Sequence, residues 1–375
     1  MGIYMNRHAI ILLLVLPGLC HCQSGNHGEE SQTIKVVEAE AVVASEMEIL
    51  VDHVVTTGLL PAAFLATKLR DHDLILLGET HQKRQNCQFV AQSLEPLYRT
   101  AGLRALITEF INSEKNDSLQ QLVTADSFDH KLATALMRDY GTGVWGFREY
   151  RDILHSAWAL NQSLEAGEEQ LQVIGMDNSW GSQPPTNDRM KQFQNRLARE
   201  KHMIDVVRVS GLKRGMKAIV HVGRDHTYLN QGVRLGTVLY KEFGARITQV
   251  VLHHEYPSRS KPAPIQSLIE DVIKRSGKKA IGFDIQGSPF AMLRDRNCGY
   301  WMRTPETNFG DIMQSMIFLA PVSEMAPTRW MPGFITEENF DRARRFAEQV
   351  RWIDKDEVKS PGELDQVLLR RFPTP

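Results

Sequence analysis

The chain is poor in cysteine, has no excess charge of either sign and contains no apolar run of membrane length. Its 375 residues carry four cysteines, and Cys20 and Cys22 lie in the first 22 residues, which leaves Cys87 and Cys298. An oxidising compartment would allow these two to pair, but their separation in sequence does not itself argue for a bridge. The formal net charge is −1, which removes the basic excess that a nucleic-acid partner would require. The first apolar run, residues 9–16, falls short of the ~20 residues that span a bilayer, and no later stretch approaches that length. The mature chain is therefore expected to lack a transmembrane segment, and its oligomeric state is open. No Walker or dinucleotide fingerprint occurs, and no Gly-x-Ser-x-Gly elbow, which excludes the ordinary serine hydrolase.

The N-terminus reads as an export address. Arg7 and His8 precede the apolar run, and Pro17-Gly18 and Cys20-His21-Cys22 follow it. That is the order of a signal peptide, with small residues at −3 and −1 predicting cleavage before Gln23. Lipidation of Cys20 or Cys22 is the rival reading, weakened by Leu19 and His21 at the position before each cysteine. Residues 1–22 are thus expected to be a leader to a periplasmic or secreted protein, and 23–38 a flexible linker. Residues 39–375 then form a single domain, since no low-complexity tract divides them.

The remaining chain alternates short apolar runs with amphipathic helices. Residues 74–81, Leu-Ile-Leu-Leu-Gly-Glu-Thr-His, place four aliphatic residues directly before a glycine, a carboxylate and an imidazole. An unbroken short apolar run is the pattern of a strand buried on both faces. Further strands are expected over 103–110, 171–178, 217–222, 246–252 and 279–285, with 313–320 either a last strand or a buried helix. Helices are expected over parts of 39–70 and of 228–243, and over 82–101, 118–123, 130–140, 147–163, 187–212, from Pro262-Ala-Pro264 to about 275, and 337–350. Ser360-Pro361-Gly362-Glu363 opens a final one. The order predicts an α/β fold: a mostly parallel sheet flanked by helices on both faces, its active edge at the strand C-terminal ends.

Four of these strands end in ionisable residues: Glu79 with His81, Glu109, Asp177, and Arg224 with His226. In a parallel sheet the four tips lie on one edge, so distant residues can converge. Two tips share one spacing, Gly78-x-x-His81 and Gly223-x-x-His226. Two imidazoles with two or three carboxylates suit a divalent transition metal held by His81, Glu109 and His226. The same set suits metal-free acid–base hydrolysis of an ester, amide or similar bond. Other ionisable groups rank lower: His253-His254-Glu255 at another tip, Asp284 in the same way at the end of 279–285, and His155 on a helix with Trp158, where a packed histidine is the default.

These motifs carry a family resemblance. Leu-Leu-Gly-Glu-Thr-His81, then Ala-Leu-Ile-Thr-Glu109 and Val-Ile-Gly-Met-Asp177, resemble the opening strands of the superfamily that groups ChaN-like haem-binding proteins, Tiki/TraB proteins and erythromycin esterases. Arg199-Glu-Lys-His-Met203 and Ala-Ile-Val-His-Val-Gly-Arg-Asp-His226 resemble its later helix and second histidine motif. The resemblance spans residues 74–252 and implies a centre of Glu79, His81, Glu109 and His226, with Arg199 and Asp177 as weaker candidates. It implies either an exported hydrolase acting on a small-molecule or peptide substrate, or a haem- or iron-binding protein without turnover, with Tyr228 as a candidate axial ligand. Esterases place the first histidine one residue further from the glutamate, and ChaN-like proteins commonly follow it with Asp where Gln82 stands here. The spacing therefore favours the ChaN/Tiki side.

Overall fold

The four aliphatic side chains of Leu74–Leu77 are fully buried, and their alternation decides the layering. Ile75 and Leu77 join one hydrophobic cluster while Leu74 and Leu76 join another, as the two-residue period of a strand requires. Each such side chain contributes about 1.5–3 kcal/mol on burial, so a strand with an apolar residue at every position is stable only in the middle of a three-layer stack.

The computed structural model describes residues 37–178, 188–213, 215–256, 262–295, 307–354 and 357–373. Residues 36–375 form one compact unit. The strands among the described residues are β1 (Val37–Glu38), β2 (Leu74–Glu79), β3 (Ala105–Asn112), β4 (Gln172–Asp177), β5 (Ala218–Gly223), β6 (Ile247–Leu252), β7 (Ile281–Asp284), β8 (Leu293–Arg294) and β9 (Ser315–Phe318). Seven of them make one sheet in the order β4-β3-β5-β2-β6-β9-β7. All its pairings are parallel except β7 with β9. The α/β reading holds, and residues 313–320 resolve as the strand β9.

The helices are α1 (Ala44–Thr57), α2 (Pro61–Asp71), α3 (Arg84–Ala101), α4 (Asn116–Thr124), α5 (His130–Arg138), α6 (Arg148–Gln162), α7 (Arg189–Val207), α8 (Arg224–Thr227), α9 (Leu235–Phe243), α10 (Pro264–Ser276), α11 (Phe309–Ile312), α12 (Glu337–Gln349) and α13 (Pro361–Arg371). The cluster with Ile75 and Leu77 takes in side chains of α2–α6, α12 and α13. The cluster with Leu74 and Leu76 takes in α7 and α9, and a third joins α1 and α10 around β7 and β9. The long helix ends before residue 212, because Arg208–Leu212 wind as a π-turn. No helix among the described residues is long and apolar enough to cross a membrane.

Some expectations are corrected or fall elsewhere. The linker placed over 23–38 ends in β1, which pairs in parallel with β8. The leader, both its cysteines, the turn at 181–185 and Cys298 lie outside the described residues. Cys87 is buried in α3 as a free thiol.

Candidate catalytic centre

The site forms where β2, β3 and β5 end side by side. Glu79 follows Ile75 and Leu77 in parity and so turns toward α6, where it accepts a hydrogen bond from the Tyr150 hydroxyl. His221, two residues beyond the cluster residue Ile219 on β5, brings Nε2 to 2.9 Å from Glu79 Oε2. Burial opposes the charge on Glu79, but His221 and His81 outweigh it and lower its pKa to about 2. An ionised carboxylate only accepts. His81 Nδ1, 2.9 Å from Glu79 Oε1, must therefore carry the proton, and neutral His81 presents the lone pair of Nε2 outward.

Glu109 owes its position to an irregularity. β3 and β4 stay in register to Thr108–Gly175, and pairing resumes at Asn112–Asp177, so β3 carries two extra residues around Glu109. Such bulges re-aim side chains beside functional sites. Glu109 Oε2 accepts from the Gly223 N–H at 2.7 Å, and Oε1 from Arg199 Nη2 at 2.6 Å. Arg199 also grips Asp177 through Nε at 2.9 Å and Nη2 at 2.8 Å. Burial opposes ionisation of Glu109, yet His226, Arg199 and His81 together hold its pKa far below the usual carboxylate range. Burial raises the pKa of Asp177 more than Arg199 lowers it.

The second histidine repeats the arrangement of the first. His226 on the one-turn helix α8 sets Nδ1 2.7 Å from Glu200 Oε2. Glu200, in α7, also accepts from the Leu235 N–H at 2.7 Å and from Arg234 at 3.2 Å. Burial opposes its charge, and the His226 hydrogen bond and charge turn the balance to a lowered pKa. The two Nε2 atoms, of His81 and His226, each lie 3.6 Å from Glu109. For His81, burial disfavours the proton, but Glu109 and Glu79 outweigh it and the pKa is raised. Its side chain is 34% exposed, so a substrate or water can reach the imidazole. Trp145 meets it edge-on at 5.0 Å between centroids, and Tyr140 packs on Trp145 with its hydroxyl 3.4 Å from Glu109 Oε1.

The shared Gly-x-x-His spacing has a steric reason. A Cβ on Gly223 would lie 2.8 Å from His81 Nε2, and one on Gly78 would lie 2.7 Å from Thr227 Oγ1 and 3.0 Å from the Arg224 Cα. Each glycine lets the other tip close over it. Gln82, next after His81, has φ of 64° and donates its N–H to Tyr150 at 3.1 Å. A non-glycine residue in the left-handed region is a local strain of the kind found at functional sites.

Glu79, His81, Glu109 and His226 thus come together, with Arg199 and Asp177 beside them. Arg224 donates to Thr80 Oγ1 at 2.6 Å. His253 instead pairs with Glu270 at 3.1 Å, and His254 with the Tyr228 hydroxyl at 3.0 Å. Asp284 pairs with Lys68, and His155 packs in an aromatic group with Phe128 and Trp158. Glu200, His221, Tyr140 and Tyr150 were not singled out as site residues by the sequence reading. His221 had a signal, a lone polar residue in the run Ala-Ile-Val-His-Val-Gly.

The metal reading is not supported. Among the described residues no group of three or more His, Cys, Asp or Glu side chains is disposed to hold a metal ion. Glu109, the would-be shared ligand, already accepts a backbone N–H and an arginine, and the fixed guanidinium opposes a second cation there. Haem through Tyr228 fits no better, since that side chain is fully buried against His254.

A family model described as haem-binding uptake, Tiki superfamily, ChaN matches residues 65–167. The resemblance read from the motifs is borne out over that segment, which holds Glu79, His81 and Glu109 but not His226. Among solved structures the chain is similar to a Bacillus cereus protein at 9% identity, covering 76% of this chain and 99% of that one with a TM-score of 0.50. It is also similar to an erythromycin esterase mutant in its open conformation, at 12% identity over 69% and 93% of the two chains, TM-score 0.46. A third is ChaN of Campylobacter jejuni with cofacially bound haem, at 14% identity over 52% and 90%, TM-score 0.37. No curated protein matches the chain in sequence.

Proposed function

We propose that this chain, with its ChaN/Tiki-like core, is an exported hydrolase that activates water by acid–base chemistry without a metal. The observation that carries the reading is the pair of imidazoles, each oriented through Nδ1 by a buried glutamate and each presenting Nε2 at 3.6 Å from Glu109. In this reading His81 Nε2 takes a proton from water as the water oxygen bonds to the carbonyl carbon of an ester or amide. Glu79 holds the tautomer and stabilises the imidazolium that forms. Arg224, beside Thr80, faces the negative charge that develops on the carbonyl oxygen. His226, entering the cycle as imidazolium, gives a proton from Nε2 to the leaving group as the carbon–leaving-group bond breaks. Exchange with solvent then removes the proton from His81 and restores the one on His226. Glu109 stays ionised between the two histidines, locked by Gly223 and Arg199.

The test is turnover of a panel of p-nitrophenyl esters by the full chain, by His81→Ala and by His226→Ala. Loss of activity in both variants is expected. Retention of wild-type turnover by both would remove the assignment.

The second reading is haem binding, favoured by the family match over residues 65–167. His81 is the exposed imidazole that would serve as a ligand to its iron. A haem titration that leaves the Soret band unshifted would count against it.

A further inference from the structure

A cavity of about 650 Å³ opens between α5, the first turn of α6 and residues 331–333. Lys131, Arg138, Arg148 and Arg151 line it, with His130 and Thr134, and no aspartate or glutamate does. Four like charges around one concavity repel one another and focus a positive potential into it. Their compensation within the fold is partial. Arg138 donates to the carbonyls of Phe334 at 2.8 Å and Gly333 at 3.0 Å, which fixes its orientation without cancelling its charge. Arg151 reaches its half-exposed neighbour Asp152 at 3.3 Å, while its Nε is buried without a hydrogen-bond partner. Among the described residues Lys131 and Arg148 have no acidic partner within ion-pair distance.

The volume suits a small molecule of nucleotide size, and the charge calls for an anion with more than one negative centre. Three of the four cations are arginines, and a free guanidinium fork bonds phosphate oxygens in pairs. Arg148 keeps such a fork, while Arg138, held by two carbonyls, and Arg151, held by Asp152, contribute mainly charge. A phosphate takes such donors from several directions, whereas a single carboxylate is filled by one fork. We propose that this cavity is a binding site for a small molecule carrying two or more phosphate groups, recognised by a cluster of arginine and lysine cations rather than by a glycine-rich loop. The segment between Arg138 and Arg148 carries Tyr140 and Trp145, which touch Glu109 and His81. The site therefore borders the loop that walls the candidate centre without sharing its residues.

The experiment is calorimetric titration of the full chain with tripolyphosphate at ~0.15 M salt. Saturable one-site binding is expected, weakened by about tenfold or more in Lys131→Gln/Arg148→Gln, since charge-assisted bonds are lost. Neither substitution breaks a side-chain bond that holds the fold. The charge-preserving Lys131→Arg/Arg148→Lys variant should bind within about threefold of wild type. Glu109→Gln should bind as wild type does, so the outcome is independent of the hydrolase reading. Absence of saturable binding, an undiminished affinity in the neutralised variant, or equally tight binding of citrate would each overturn the proposal.

Discussion

His81 and His226 address the two oxygens of one carboxylate: His81 Nε2 lies 3.6 Å from Glu109 Oε2, and His226 Nε2 lies 3.6 Å from Oε1. Each imidazole is tethered at its other nitrogen, one by Glu79 and one by Glu200. Neither tether can replace the other, because they come from β2 and from α7. Removal of either ring should therefore cost a full proton-transfer function, about 10²–10⁴ in turnover. His81→Ala should lower the melting temperature more at about pH 6, where the contribution of the protonated ring is present, than at a pH above its raised pKa. Turnover and thermal melting of the two single variants check both statements.

The pH dependence follows from Glu79 and His81. Glu79 is depressed to about 2, so its stabilising contribution is complete above the ordinary carboxylate value and is lost as pH falls through about 2. His81 is raised above 6.5, so its contribution is complete below 6.5 and is lost as pH rises through the folded value. A general base must be neutral, so activity should climb with pH along a limb centred above 6.5. Glu79→Gln keeps an acceptor for Nδ1–H but removes a negative charge that favours the imidazolium. The limb should move to lower pH, with a matching fall in the His81 pKa read by NMR titration of the ring protons. An unmoved limb would detach His81 from the rate.

The sheet was legible because a strand buried on both faces must be apolar at every position, and Leu74–Leu77 meet that condition without ambiguity. The ionisable tips were legible for the related reason that charge stands out at the end of such a run. Glu200 was not: it sits in Arg-Glu-Lys-His, where a charged helix shows no periodicity that marks the one buried carboxylate. The bulge that aims Glu109 depends on the register between β3 and β4, which neither strand states alone. The antiparallel setting of β7 was hidden too, since its residues would suit either direction.

Arg199 should matter more for stability than for chemistry. Its guanidinium joins Asp177 and Glu109, whose side chains are almost wholly buried. Replacing it with Met leaves two carboxylates in a low-dielectric site without their shared cation. The expected cost is about 3–5 kcal/mol in urea unfolding, the range for breaking a buried pair. Arg199→Lys should recover part of it, because one ammonium cannot reproduce the fork that holds both carboxylates. Equal stability of Arg199→Met and wild type would contradict the buried triad.

Gly223 offers the sharpest separation of site geometry from folding. Its N–H holds Glu109 Oε2, and a Cβ there would lie 2.8 Å from His81 Nε2 and 3.3 Å from Glu109 Oε2. The backbone at Gly223 has φ of −55°, a conformation that alanine adopts without strain. Gly223→Ala should therefore fold with little change in melting temperature, while its methyl displaces His81 from the Nε2 position. A shift of this kind at the reacting atom costs up to about 10² in rate. Turnover should fall while binding of tripolyphosphate at the arginine-lined cavity is unaffected. If Gly223→Ala retained full turnover, the close approach of His81 to the β5 tip would have no part in the chemistry.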